Sequence, residues 1–186
     1  MSRIFVISDT HWNHSNILNF TDKAGKFVRR GFNDVKDMNE TMIRNWNSVV
    51  TDEDKVYHLG DVHFGPKEEA DAILSRLNGK KRLILGNHDD GKSPVLQKHF
   101  QKILMWRIFK EHSTILTHVP LHESTLNEGS QFNVHGHIHQ MESPTKRHIC
   151  ACVEHINYTP VLLEDLVKAH SRKVQLPIEP VGYRRV

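Results

Sequence analysis

Lys81-Arg82-Leu83-Ile84-Leu85-Gly86-Asn87-His88-Asp89 sets a short apolar run directly against a polar cluster. The run reads as a buried strand, and the glycine marks where the chain leaves the sheet. Side chains just beyond a strand end have their backbone direction fixed by the sheet, yet they are free to converge on a ligand. The same arrangement recurs along the chain. Arg3 to Ser8 stops at Asp9-Thr10-His11, and Lys55 to Leu59 stops at Gly60-Asp61. Strands expected near residues 113–117 and 132–136 stop at Thr117-His118 and Gly136-His137-Ile138-His139.

Helices lie between the early strands. Met38, Met42, Ile43, Trp46, Val49 and Val50 recur at spacings of three and four, which predicts an amphipathic helix over 37–50 whose Met and Trp stripe is core. Pro66 opens a second helix through Leu77, and a closing helix is expected from Leu163 to Ala169. Further strands are expected near 102–109 and 146–153. Helices alternate with strands early and strands dominate later, as in a layered α/β or α+β domain with its polar motifs at strand ends.

The 186 residues suit one domain with a core large enough to need no disulfides. Residues 1–170 are read as that domain. Residues 171–186 are read as a solvated basic tail, because Arg172, Lys173, Arg184 and Arg185 against Glu179 account for the whole net charge of +3. A neutral body argues against a dedicated nucleic-acid binder. No stretch approaches the ~20 apolar residues of a membrane span. The apolar run before Asp9 is too short for a secretory signal, so a cytoplasmic location is expected. Cys150 and Cys152, two apart on one expected strand, point to the same face and are read as reduced thiols.

Histidine is the compositional outlier, at 15 residues. Neutral imidazole is the commonest metal ligand. Together the clusters offer carboxylates, an amide oxygen and imidazoles, a set that suits manganese, iron, cobalt, nickel or zinc. Seven ligands exceed one zinc site, whereas two cations bridged by a carboxylate would use them all.

The ordered series Asp-x-His, Gly-Asp, Gly-Asn-His-Asp, His and Gly-His-x-His resembles the calcineurin-like metallophosphoesterase superfamily. It is most similar to small capless prokaryotic and phage-encoded members, and the likeness runs from about Ile4 to Leu166. The resemblance implies a four-layer α-β-β-α sandwich of two mixed β-sheets flanked by helices. It implies that Asp9, His11 and His139 hold one divalent metal ion, that Asn87, His118 and His137 hold a second, and that Asp61 bridges them. Manganese is the first expectation. A hydroxide shared by the cations would attack phosphorus, and His88 would assist the leaving group. In some branches a carboxylate three residues after the bridging aspartate orients that histidine. Here Phe64 occupies the position, beside His63, which leaves Asp89 as a substitute orienter or a helix cap.

Other histidines have blander readings. His58 is expected to pack or to donate a hydrogen bond near Asp61, and His135 to support the ligands or the structure. His14 and Trp12 are candidates to line the phosphate pocket. Asn39 and Asn47 are read as capping or surface groups. The expected substrate is a small phosphate ester, with a nucleotide or other phosphodiester favoured over a monoester or nucleic acid. A non-catalytic interaction scaffold on the same fold is the alternative from a different class.

Overall fold

The computed structural model describes residues 2–127 and 129–178. Alternation along the first strands builds a sheet with two buried faces. In β1 (Ile4–Ile7), β2 (Lys55–His58) and β3 (Lys80–Ile84), Phe5, Ile7, Val56 and Leu83 face one core, while Val6, Tyr57 and Ile84 face another. Helices α1 (Val35–Val49), α2 (Lys67–Leu74) and α3 (Pro94–His99) follow these strands in turn. They cover the first face with Met38, Met42, Trp46, Ile73, Leu74 and Leu96. Asp34 caps α1 by accepting from the Asp37 amide at 2.8 Å.

The chain crosses to a second sheet between β4 (Ile103–Leu104) and β5 (Arg107–Phe109), and continues through β6 (Thr114–Leu116), β7 (Phe132–His135) and β8 (His148–Cys150). Then β9 (Val161–Leu162) returns to the first sheet and leads into α4 (Leu163–Val174). The sheet orders are β4-β3-β2-β1-β9 and β5-β6-β7-β8. Both are mixed, because β9 runs antiparallel to β1, and β5 antiparallel to β6, among otherwise parallel neighbours. Phe109, Leu116, Phe132, Val134 and Ile149 pack between the sheets against Val6, Tyr57 and Ile84. The expected pair of mixed sheets with flanking helices is therefore present.

Three expectations change in detail. The single strand foreseen near 102–109 is two strands in different sheets, broken at Met105-Trp106. Pro66 is the N-cap of α2, one position before the helix, and the helix ends at Leu74 instead of Leu77. The closing helix runs to Val174, past the boundary drawn at 170, because Ser171 is buried on its inner side. Leu176 and Ile178 also pack on the core, so residues 171–178 are not a solvated tail. The rest of that tail, 179–186, lies outside the described residues. No helix among the described residues is long and apolar enough to cross a membrane.

Candidate metal centre

All five polar clusters follow the C-terminal ends of strands that run parallel to a neighbour: β1, β2 and β3 of one sheet, β6 and β7 of the other. Pairing continues past the strands. Asp9 donates its amide to Gly60 O at 3.0 Å, His11 to Asp61 O at 3.1 Å, and Gly136 to His118 O at 2.8 Å. The sheets meet at the site, where Ser8 bridges Cys152 and the Val153 amide donates to Ser8 O at 3.1 Å.

Two groups of side chains converge tightly enough to hold a metal ion: Asp9, His11 and His139, and Asp61, His118 and His137. Asp61 lies between them. Its Oδ2 is 3.7 Å from His11 Nε2, and its Oδ1 is 3.6 Å from His118 Nε2. His118 Nδ1 meets Leu59 O at 2.8 Å, which assigns the proton to Nδ1 and leaves a lone pair on Nε2. That lone pair faces Asn87 Oδ1 at 2.8 Å, two acceptors aimed at a common point. His137, exposed at the rim, stacks edge-on against His118 at 5.1 Å.

The unfilled valences of the donors fit cations. Asp9 Oδ1 and both ring nitrogens of His11 are buried without any hydrogen-bond partner. Buried polar atoms are nearly always paired, so Asp9 Oδ1 and His11 Nε2, 3.7 Å apart and both without a partner, are what an ion would satisfy. Burial opposes ionisation of Asp9, but the His11 contact, the charge of His139 and the Ser8 hydroxyl together hold its carboxyl well below the usual range. Two glycines leave room for the carboxylates. A Cβ on Gly86 would lie 2.2 Å from Asp61 Oδ1, and one on Gly136 would lie 2.4 Å from Asp9 Oδ2.

Sequence reasoning missed the support behind the first group. Arg29, buried at 2% exposure, donates to Glu154 Oε1 at 2.9 Å, to Thr10 O at 2.9 Å, and to Asp9 O. Glu154 Oε1 in turn meets His139 Nδ1 at 3.1 Å and so directs Nε2 toward Asp9. Burial works against the His139 cation, but the Glu154 contact outweighs it and raises the imidazole above its ordinary value. Arg29 sits in a loop and Glu154 beyond the last ligand, so no periodicity points to either. Cys152 donates to Asp9 Oδ2 at 3.2 Å, and both cysteines are free thiols.

His58 behaves as expected of a supporting group. Its Nε2 meets Thr10 Oγ1 at 2.9 Å and its Nδ1 accepts from the Gly60 amide at 3.2 Å, which joins the first cluster to the second. His135 is also buried, with Nδ1 donating to Gly136 O at 2.8 Å. Asn47 donates to Arg76 O as a surface group, whereas Asn39 is neither cap nor surface: it is buried in α1 and donates to Asn13 Oδ1 at 2.6 Å, which ties the helix to the loop after His11. Asp89 does not orient His88. Its carboxylate accepts from the amides of Asp61, Val62 and Gly86 at 2.9, 3.0 and 2.9 Å, and it clamps two site loops together. His88 instead packs against Phe64, ring centres 5.0 Å apart, with Nε2 4.0 Å from Asp61 Oδ2. Phe64 also stacks on His11 and on His14 at 5.1 and 4.0 Å, so an aromatic wall stands where other branches have a carboxylate. His14 lines the site, and burial lowers it to about 4. Trp12 does not, being fully buried in the core.

Known proteins share this framework. The chain is 37% identical over 177 residues to an uncharacterized protein of Methanocaldococcus jannaschii, covering 90% of this chain and 91% of that one. It is 33% identical over 118 residues to the gene 66 protein of Mycobacterium phage L5, a match over 61% of this chain and 53% of the phage protein. The crystal structure of a protein of unknown function from Aquifex aeolicus superposes with a TM-score of 0.72 at 28% identity, over 91% of this chain and all of that one. The calcineurin-like phosphoesterase family model matches residues 2–174, and the chain therefore belongs to that family of metal-dependent phosphoester hydrolases.

Proposed function

We propose that the chain hydrolyses small phosphodiesters, a nucleotide diester being the first class to test, with two divalent cations. Asp9, His11 and His139 would hold one, Asn87, His118 and His137 the other, and Asp61 would touch both. The observation that carries this reading is Asp61 itself, whose two oxygens face different histidines, His11 at 3.7 Å and His118 at 3.6 Å. Manganese is the first choice, and iron, zinc, nickel and cobalt suit the same donors. When bound, such a pair lowers the pKa of water toward neutrality and offsets charge on the phosphoryl oxygens.

The protein's own residues supply the rest. The His88 amide donates to Asp61 Oδ1 at 2.9 Å, which seats His88 at the mouth of the site with its ring half exposed. From there it can give a proton to the departing oxygen, a contribution of about 10²- to 10⁴-fold. Phe64 and His14 exclude water from one side, while Arg29 and Glu154 hold Asp9 and His139 in place.

The test is turnover of matched aryl phosphate monoesters and diesters by metal-stripped protein reconstituted with manganese, nickel, cobalt, zinc or magnesium. Diester turnover that needs metal and collapses in Asp61→Asn and His88→Ala is the expected result. Preference for the monoester would overturn the substrate reading while leaving the chemistry. Stoichiometric metal binding without turnover of either ester would favour the scaffold alternative.

A further inference from the structure

A groove of about 750 Å³ opens directly beside the second ligand group, and Asn87 and His118 form part of its wall. That volume is within the range of sites that enclose a whole small organic ligand and far exceeds a phosphate. Its far side is the crossover between the sheets, where Met105 and Trp106 are 68% and 57% exposed. Ile108 and Ile115, paired across β5 and β6, form the base, and Val119 lies at the rim with 45% exposure. Three large apolar side chains exposed at one groove are unusual for a solvated surface and mark a contact site.

Charge narrows the occupant. Among the described residues no lysine or arginine lines the groove, and its ionisable side chains are Asp89 and His118. Asp89 is already consumed by three backbone amides, and His118 is directed at Asn87 and Asp61. A second phosphate or a polyanionic strand would find no counter-charge there. A neutral ring would find the face of Trp106 and the sulfur of Met105.

We infer that this groove is the subsite for an uncharged, planar aromatic substituent of the phosphoester, of nucleobase or aryl type, seated on Trp106 and Met105 while the phosphate lies at Asp61. This rests on the phosphoesterase reading above and specifies its substrate. The groove thus selects esters with one flat neutral group over those with alkyl or further anionic groups.

The experiment compares phenyl p-nitrophenyl phosphate with methyl p-nitrophenyl phosphate on the manganese-loaded full chain, so that the leaving group is constant. The ratio of kcat/KM, phenyl over methyl, should fall about tenfold in Trp106→Ala and be largely kept in Trp106→Phe. An unchanged ratio in Trp106→Ala overturns the inference. A second readout does not need turnover. Trp12 and Trp46 are buried at 0% and 1%, so Trp106 is the tryptophan open to quenching. Phenylphosphonate should quench its fluorescence saturably, with metal or without, and methylphosphonate should not. If neither ester is hydrolysed with any metal, the catalytic reading fails while the quench still decides the groove. Equal or absent quenching by the two phosphonates overturns it.

Discussion

Replacing Arg29 with methionine should cost about 4 kcal/mol of folding stability. The guanidinium is buried at 2% exposure, and its three hydrogen-bonded oxygen partners are buried with it: Glu154 Oε1 at 2.9 Å, Thr10 O at 2.9 Å, and Asp9 O. Removing one member of a buried ion pair costs about 3–5 kcal/mol, and because His139 Nδ1 still meets Glu154 Oε1 at 3.1 Å the lower end applies here. Each carbonyl stripped of its donor adds roughly 1 kcal/mol, and the methionine side chain recovers part of this by filling the space. For a chain of this length each kcal/mol moves Tm by about 2–4 °C, so a fall of about 8–16 °C is expected. Urea and thermal unfolding of metal-stripped protein measure it free of any change in metal affinity. Adding Glu154→Leu to Arg29→Met should recover stability, because the orphaned carboxylate goes with it. A loss below about 1 kcal/mol, the scale of an exposed pair such as Arg76–Glu40 at 49% and 38% exposure, would refute the reasoning.

Glu154→Gln should weaken metal binding at the Asp9, His11 and His139 group by about 10- to 100-fold while sparing the group around His118, as titration calorimetry would resolve. Equal weakening at both groups would rule out a local role. In Gly136→Ala the new Cβ would lie 2.0 Å from Ser8 Oγ and 2.4 Å from Asp9 Oδ2, so the variant should lose about 1–3 kcal/mol and one equivalent of bound metal. Wild-type stability in both parameters would contradict that geometry. Burial lowers His58 to about 4 from 6.5, so the unfolded chain binds the extra proton between those values. His58 should therefore contribute a drop of up to roughly 3 kcal/mol as pH falls from 6.5 to 4, on top of the shares of His14 and His135, which burial also lowers to about 4. The drop should be shallower in His58→Gln, and identical slopes in the two proteins would count against a neutral buried imidazole.

The strand-end motifs were legible because each couples a local apolar run to an abrupt polar stop. The five clusters could be singled out on that ground, the family resemblance picked Asp9, His11, Asp61, Asn87, His118, His137 and His139 from them, and the fold brings these seven to one edge of the two sheets. Partition of strands between two sheets was not legible. Residues 102–109 read as one strand because Ile103, Leu104, Ile108 and Phe109 are all apolar, yet the chain changes sheet at Met105-Trp106. Arg29 and Glu154 escaped because their pairing spans 125 positions and neither belongs to a strand-end motif. Asp89 was legible as important and misread in role, since a carboxylate beside His88 in sequence turns its oxygens back to three amides.

Backbone conformation explains why so much support surrounds so few ligands. Asp9, His11, Asp61, His137 and His139 have φ of 56°, 48°, 56°, 72° and 48°, in the left-handed region that disfavours residues with a Cβ. At about 1 kcal/mol or more each, these conformations persist only where neighbouring structure over-determines them. That structure is identifiable. Asp9 and His11 are tied by their amides to Gly60 and Asp61, the His137 amide donates to Asp9 Oδ2 at 2.8 Å, and the Asp61 amide donates to Asp89. The turns aim side chains from consecutive motif positions into one space, which an extended strand would send to opposite faces. Strain, orphaned polar atoms and the buried Arg29–Glu154 pair therefore accompany one arrangement, in which side chains from the ends of two sheets converge at one site. The protein's own hydrogen bonds, from the Asp9, His11, Asp61 and His137 amides, hold the side chains in that convergence.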